Sequence, residues 1–583
     1  MAGSSDQSAD ETGTSADPPE AVPSGIAKLI PIVGWLPHYN RKWLRPDLIA
    51  GVSVAALVVP KSLGYAGIVG VSVEHGLYAA AAGAILYALF GTSRQIATGP
   101  SSALAAVAAG GLVTSGLSGD DAVALVAAIT MVTGLLYLLL ALFKMGWISN
   151  FLSKAVITGF LFGAAIQVVI GELPKLTGTE AEGSNSWREL GSWVEGLDQT
   201  DSTTLLIGVL SLVLIFGLRF KAPKVPGALV LVVIGIFAGW ALDLGDEGVA
   251  LVGDVPRGLP SVAFPDLGFV RDNIQVIVGS SVGLLLIGFS QTAGDARSFA
   301  SKHRYRIDIN QESTAQGAAN VGAGLVGGIP VSTSLSASSL NDTSGAKTQV
   351  ASLTTGAVIV LTLLLLAPLF SDLPLPVLAA IIIEAVVGGM MDVPAMRRLF
   401  RVDRVDFWIA IVAILGVLAA GVLAGVLIGV LLSIIWLIYV SATPSMTVLA
   451  REPDTQVFRS LERYSDGETQ SGVLVVKFDA GLYFASSGAF EDELRELFDA
   501  ADPKPHTIVV SFEAVSFIDS QGSAQVSSIL DLVEGRGVEI RLARVHPDVL
   551  EVLGKDNVID QLGEDNVYGN IYRAVMDEQP DAT

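Results

Sequence analysis

A single lysine stands inside an apolar run. Lys61 is the one charged residue between Ile49 and Gly70, and it directly follows Pro60. An ionisable side chain at bilayer depth costs about 3 kcal/mol on insertion scales and marks a functional position by default. Its ammonium either lines a polar cavity or snorkels to an interface. Two other segments carry a spacing that suits chemistry. Ala97-Thr98-Gly99-Pro100-Ser101-Ser102 and Gly328-Ile329-Pro330-Val331-Ser332-Thr333-Ser334 each follow a helix breaker with small hydroxyl residues. A half-helix starting there presents unpaired backbone N–H groups and the positive end of its dipole. Within a bilayer those donors have no water to turn to, and an anion suits them. Ser101 and Ser102 in the first segment, and Ser334, Ser336 and Ser338 in the second, add hydroxyl donors without bulk. The surrounding Gly and Ala serve close helix packing.

Other chemistries find no support. The chain has no cysteine, hence no disulfide framework, thiolate metal site or Cys nucleophile. His38, His75, His303, His506 and His546 are scattered, without metal-ligand spacing. No Walker pattern is present, so ATP-driven transport is not expected. We therefore expect no catalytic residues, no metal and no cofactor; the chain reads as a non-enzyme. The net charge of −22 argues against nucleic acid as a partner.

The elements that must hold these residues are membrane spans. Only 16% of the 583 residues are charged, against about 25% in soluble domains. The acidity lies at the ends: residues 1–20 hold five acids and no base, and residues 441–583 hold 26 acids and 11 bases. The nearly neutral middle resolves into fourteen apolar runs, at 47–68, 75–91, 99–114, 120–143, 151–171, 203–219, 227–243, 275–293, 312–329, 333–345, 351–371, 374–391, 405–420 and 422–441. Basic residues fall in alternate loops (Arg41, Lys42 and Arg45; Arg94; Lys144 and Lys154; Arg219 and Lys221; Arg297 to Arg306; Lys347; Arg397 to Arg404), which places both termini on the cytoplasmic side. Fourteen spans divide into two sevens, and repeats of odd length are inverted relative to each other. Such repeats put the binding site at the midplane between broken helices; the short third and tenth spans occupy corresponding positions. The fold class expected is thus a polytopic α-helical membrane protein of 14 spans in a 7+7 inverted repeat, followed by a small α/β domain. The expected boundaries are a disordered acidic segment at 1–24, a pre-membrane segment at 25–46, the membrane domain at 47–441, a linker at 442–458 marked by Pro444 and Pro453, the α/β domain at 459–579 and a tail at 580–583.

Several ordered motifs resemble one family. Val59-Pro60-Lys61-Ser62-Leu63-Gly64-Tyr65-Ala66, Gly91-Thr92-Ser93-Arg94-Gln95-Ile96-Ala97-Thr98-Gly99-Pro100, Asp308-Ile309-Asn310-Gln311-Glu312, and Ser334-Leu335-Ser336 followed by Gly345-Ala346-Lys347-Thr348 resemble the SulP sulphate-permease (solute carrier 26) family. Phe517-Ile518-Asp519-Ser520-Gln521-Gly522 resembles the STAS domain that usually follows in the same chain. The resemblance covers roughly residues 25–579. It implies a homodimeric anion transporter of the plasma membrane, with core and gate domains and an elevator-like mechanism, and it gives the STAS domain as a docking point for a cytoplasmic protein. By the same resemblance the Lys61 position lines the anion site, commonly as glutamine, and Tyr65 matches an aromatic position of that site. Where many relatives have a carboxylate on the eighth span this chain has Gln291; Asp295, on the same helical face, is the alternative coupling residue, unless it pairs with Arg297 or Lys302. Ala337 stands where relatives often carry a base, and Lys61 would replace that charge. Ser520 matches a phosphorylatable serine, or else is an N-cap. The expected function is secondary active transport of inorganic anions, sulphate first, coupled as symport. Bicarbonate, chloride or dicarboxylate transport, a channel-like uniporter and an anion-responsive regulator signalling through the STAS domain are the alternatives.

Overall fold

The computed structural model describes residues 25–147, 153–181, 183, 185–222 and 225–577; the expected acidic segment 1–24 and tail 580–583 lie outside the described residues. Each of the fourteen apolar runs contains a helix. They are α1 (Leu44–Val69), α2 (Glu74–Phe90), α3 (Ser102–Ser115), α4 (Gly119–Leu142), α5 (Lys154–Thr177), α6 (Ser202–Lys221), α7 (Gly227–Ala241), α8 (Ile274–His303), α9 (Ile309–Leu325), α10 (Leu335–Thr343), α11 (Val350–Leu361, continued to Asp372 by a π turn and a 3-10 segment), α12 (Leu375–Gly389), α13 (Arg404–Ala420) and α14 (Val422–Ala442). Among the described residues eight helices are long and apolar enough to cross a membrane by length and composition alone. The others are shorter, and α10, with nine residues, is the shortest of the fourteen.

Helix packing repeats with the order inverted. The chain lays α1 on α11 as it lays α8 on α4, and α2 on α11 as α9 on α4. Likewise α3 meets α8 as α10 meets α1, and α5 meets α13 as α12 meets α6. These are the same contacts under exchange of each helix with the one seven places on, so the chain is a 7+7 inverted repeat. One group, α1–α4 with α8–α11, forms the core; α5–α7 with α12–α14 form the gate. They meet where α1 touches α7 and α12, and where α3 touches α5 and α12.

Glycine sets the spacing within each group. A Cβ on Gly134 of α4 would stand 2.5 Å from the Val321 amide nitrogen of α9, and one on Gly324 of α9 would stand 2.8 Å from the Ala127 carbonyl oxygen of α4. In the gate, a Cβ on Gly159 of α5 would lie 2.5 Å from the Ala410 carbonyl oxygen of α13. These helices therefore touch backbone to backbone, which lets small residues replace the missing hydrophobic drive within lipid.

Two buried carboxylates tie the loops to the helices through neutral donors. Glu312, near the start of α9, accepts hydrogen bonds from the Tyr87 hydroxyl, the Thr92 hydroxyl, the Thr92 amide (2.8 Å) and the Ser93 amide (3.0 Å). Asp47, near the start of α1, accepts from the Tyr39 hydroxyl (2.9 Å), the amides of Lys347 (2.6 Å) and Thr348 (3.1 Å), and the Thr348 hydroxyl (2.7 Å). The motifs around Gly91, Asp308 and Gly345 are the two sides of these contacts.

The C-terminal α/β domain is a sheet of six strands: β3 (Met446–Arg451), β4 (Phe458–Ser460), β5 (Val473–Phe478), β6 (Thr507–Ser511), β7 (Glu539–Ala543) and β8 (Val567–Tyr568). Their order is β4-β3-β5-β6-β7-β8; β5 to β8 run parallel, and β3 is antiparallel to both neighbours. Helices α15 (Ser487–Ala500), α16 (Ser520–Glu534) and α17 (Pro547–Lys555) provide the long connections that parallel strands need. Phe478, Phe490 and Phe512 meet edge to face in the core, with ring centroids 5.0 and 6.3 Å apart. Strand β3 lies within the stretch 442–458 expected as a linker. Pro444 and Pro453 flank that strand instead of interrupting it, which is where proline is tolerated in a sheet.

Truncating Glu312 to Ala would leave the Thr92 and Ser93 amides buried without acceptors. We expect a loss of about 3–5 kcal/mol, read as a lower unfolding temperature in detergent; Glu312→Gln, which keeps one acceptor, should lose less.

Candidate anion site

Two helices break at the centre of the core, and their loose ends pair with each other. Thr98–Pro100, just before α3, forms β1, and Val331–Thr333, just before α10, forms β2. They run antiparallel, with Thr98 opposite Thr333, Gly99 opposite Ser332 and Pro100 opposite Val331. Pro100 suits this place because an edge position needs no amide donor. Ser101 caps α3 by accepting from the Leu104 amide at 3.4 Å, and Ser334 caps α10 by accepting from the Ala337 amide at 3.4 Å. The Ser334 amide itself donates to the Ala97 carbonyl at 3.1 Å.

Side chains from neighbouring helices hold this pair in place. Asn320 of α9 donates to the Val331 carbonyl (2.9 Å) and accepts from the Val331 amide (3.0 Å). Gln316, one turn earlier, donates to the Thr98 hydroxyl at 2.9 Å. Asn341 donates to the Gln95 carbonyl (2.9 Å), and Gln349 to the carbonyls of Ser93 (2.7 Å) and Ile96 (3.0 Å). The unwound backbone is thus satisfied by protein, as a membrane interior requires.

Against β1 and α10 lies α1. Lys61, Ser62 and Tyr65 of α1, Thr98 to Pro100 of β1, and Ser334 with Ala337 of α10 line one cavity. Its free space is about 20 Å³, room for about one water. Of the residues singled out in the sequence, Lys61, Tyr65 and Ser334 come together on this cavity. Tyr65 is buried in a cluster that includes Ala105, Ala108 and Ala385. Ser101 is held as a cap, and Ser336 is exposed, its Oγ 3.3 Å from that of Ser334. Ser338 does not line the cavity; its buried hydroxyl accepts from the Ala97 amide at 2.9 Å. Ala337 is a lining residue, so the base missing there leaves a wall of methyl.

Lys61 makes no hydrogen bond or ion pair among the described residues. Two charged residues stand on the gate, Glu384 of α12 and Arg219 of α6. Those two are paired: the Arg219 guanidinium donates to the Glu384 carboxylate at 2.6 Å and to the carbonyls of Glu384 and Gly388 at 3.3 Å. Gly388 is needed for this arrangement, because a Cβ there would stand 1.6 Å from an Arg219 nitrogen. Sequence reasoning missed Glu384, although Ile381-Ile382-Ile383-Glu384-Ala385-Val386 bears the same mark as Lys61, one charge in an apolar run.

The two coupling candidates both face β2. The Ser332 hydroxyl lies 3.4 Å from the Gln291 side-chain oxygen, and the Thr333 hydroxyl donates to the Asp295 carboxylate at 2.8 Å. Lys302 is drawn instead to Asp342, at 2.7 Å, which His303 also meets at 2.8 Å. In the C-terminal domain the N-cap of α16 is Asp519, accepting from the amides of Gln521 (3.0 Å) and Gly522 (2.8 Å). Ser520 is therefore the first helical residue and not the cap, and it is exposed.

Comparison with known proteins agrees with this architecture. Residues 44–413 match the Sulfate permease family model and residues 464–577 match the STAS domain model. A probable sulfate transporter of Mycobacterium tuberculosis is 30% identical over 550 residues, spanning 93% of this chain and 98% of that protein. The high affinity sulfate transporter 2 of Stylosanthes hamata is 29% identical over 580 residues, spanning 95% of this chain and 87% of that one. Among solved structures, the murine solute carrier 26 family member A9 anion transporter in the inward-facing state has a TM-score of 0.86 at 22% identity, covering 97% of this chain and 96% of its own. The transmembrane domain of a cyanobacterial bicarbonate transporter, BicA, has a TM-score of 0.58 at 24% identity, covering 68% of this chain and 98% of that one.

If the β1–β2 pair is the frame of the site, Asn320 carries much of it. Asn320→Ala removes both hydrogen bonds to Val331 and should cost about 2–4 kcal/mol, measured by thermal unfolding in detergent. Asn320→Asp, which keeps the acceptor, should fall between wild type and Ala.

Proposed function

Because the chain belongs to the Sulfate permease family, we propose that it is a secondary active transporter of inorganic anions, with sulphate as the leading substrate. The names of its curated relatives point to sulphate, and a lysine suits a divalent anion. One observation carries this reading: β1, which leads into α3, and Ser334 with Ala337 at the start of α10 line the same cavity as Lys61. Helix dipoles, Ser334, Ser336, Ser101 and Ser102 would supply neutral donors, Tyr65 would supply an aromatic wall and a hydroxyl, and Lys61 the full positive charge. Sulphate is larger than the space present, so binding requires α1 to part from β1 and α10. Movement of the core against the gate, the elevator-like step, would open that space.

Further parts of the reading follow from the family. The protein is proposed to be a homodimer in the plasma membrane with both termini cytoplasmic, its STAS domain available to a cytoplasmic partner and Ser520 exposed for phosphorylation. Asp295, hydrogen-bonded to Thr333, is proposed as the proton-coupling group for symport in place of the carboxylate absent at Gln291. That absence also favours a second reading, a channel-like uniporter. Sulphate uptake into proteoliposomes separates the two: an inward proton gradient should drive accumulation above equilibrium, and Asp295→Asn should abolish that stimulation while sparing exchange. Uptake that only dissipates a sulphate gradient, with or without the proton gradient, would establish the uniporter. A substrate panel of bicarbonate, chloride and dicarboxylates in the same vesicles tests the choice of anion.

Lys61→Gln should weaken sulphate binding by about 1–2 kcal/mol, roughly ten- to thirtyfold, measured by calorimetry on monodisperse protein. Chloride should lose less, because the Coulomb term scales with charge. Ser336→Ala, which removes one neutral donor, should cost less than either. Equal sulphate affinities for wild type and Lys61→Gln would leave the helix dipoles as the main attractor.

A further inference from the structure

The connection from α12 to α13 holds a ten-residue helix, Val393–Val402, with no buried residue. Helical spacing sorts its side chains into two faces. Val393, Met396, Leu399 and Phe400 fall on one side, and Arg397, Arg398 and Arg401 on the other. The acids at its ends serve as caps: Asp392 accepts from the Ala395 amide and Asp403 from the Val405 amide, both at 2.8 Å. Among the described residues the three arginines make no hydrogen bond or ion pair. The apolar face is just as open, with Phe400 57% exposed. At its far end the chain turns through the extended residue Asp403, and the Phe400 ring meets Phe407 of α13 at 5.1 Å. Phe407 meets Trp408 at 5.7 Å, and Trp408 begins an exposed stripe of α13 continued by Val412 and Leu415. A helix this short is marginal in water, and the protein interior does not hold it. Something else must cover its apolar face.

We propose that Val393–Val402 is an interfacial helix that docks the gate onto anionic phospholipids of the leaflet beside it. A helix with arginine on one face and Phe and Leu on the other lies in the plane of the interface. Its apolar side enters the boundary of the acyl chains, and its arginines reach the phosphates, which guanidinium groups bind through paired hydrogen bonds. The tryptophan at the start of α13 marks the same depth. Other cations of the gate come to this level. α5 and α13 run parallel, with Gly159 against Ala410 and Gly163 against Val417, so Lys154 and Arg404 stand at one end. Both are exposed. A soluble anion would engage the arginines and leave Phe400 in water, whereas a lipid occupies both faces. The membrane face concerned is the one proposed as cytoplasmic, and the inference holds whichever anion is carried. Because the helix joins α12 to α13, it is the gate that this contact ties to the leaflet.

The chain has no cysteine, so Met396→Cys in the full-length protein takes one fluorophore on the apolar face. The labelled protein is placed in vesicles of phosphatidylcholine and phosphatidylglycerol, with one lipid or the other brominated on its acyl chains as the quencher. Both leaflets then have the same composition, so neither the orientation of the protein nor its transport activity enters the result. With the lipids at about four to one, brominated phosphatidylglycerol should quench roughly five- to tenfold more than its share of the mixture, and the preference should shrink as salt is raised. Changing Arg397, Arg398 and Arg401 together to Gln should abolish the preference, while changing them to Lys should keep most of it. Quenching in proportion to each lipid's share, or a preference that survives the Gln changes, overturns the proposal. No quenching by either lipid also overturns it: the helix would then stand in water, its arginines open to an acidic protein surface. If Met396→Cys is not monodisperse, the same measurement is made from Val402→Cys, with the same outcomes.

Discussion

Three residues paired with three others are what the membrane domain is built around. A helix that stops at the centre of a bilayer leaves backbone donors and acceptors with no solvent, and each costs several kcal/mol if left alone. The antiparallel pairing of Thr98–Pro100 with Val331–Thr333 removes that cost for two broken helices at once. It also fixes the two half-helix N-termini side by side, so the positive ends of α3 and α10 are presented together. Several polar side chains buried in the core serve this pairing or the loops that lead into it. Asn320, Gln316, Ser338, Asn341, Gln349, Glu312 and Asp47 all bond to backbone or hydroxyl groups there.

The two carboxylates among these are instructive because neutral donors hold them. Glu312 and Asp47 are each held by four donors, two of them backbone amides. A hydrogen bond to an ionised acceptor is worth roughly twice a neutral one, and four of them can offset the desolvation of a single charge.

Much of this was legible in the chain itself. The fourteen spans could be counted because apolar runs and basic loops alternate in step, and a breaker followed by serine marks a helix start wherever it stands. Ser101 and Ser334 are caps for that reason. The pairing of β1 with β2 could not be read, since three-residue strands have no period and their partners are more than 200 residues apart. Ser338 follows the same breaker as Ser334 and so reads as an anion donor, yet the amide of Ala97, distant in sequence, donates to its hydroxyl. Asp295 was matched with Lys302 by proximity along one helix, but Asp342 from α10 takes that lysine. Glu384 was hidden by the apolar run around it, and only the approach of α6 shows what its charge is for. In the C-terminal domain, the prolines suggested a linker because proline is rare inside strands; at the two edges of β3 it does no harm.

The glycine contacts within each helix group have a mechanical consequence. Where Gly134 and Gly324 set α4 against α9, and Gly159 sets α5 against α13, backbone meets backbone. Deformation there must bend helices or break hydrogen bonds. At the seam the contacts are made by the tips of Ile382 and Leu378 against glycine on α1, and those tips can slip from one well to another at small cost. The seam is therefore more compliant than these backbone contacts, and sliding along it is a softer motion than parting them, on the microsecond to millisecond scale of collective motion.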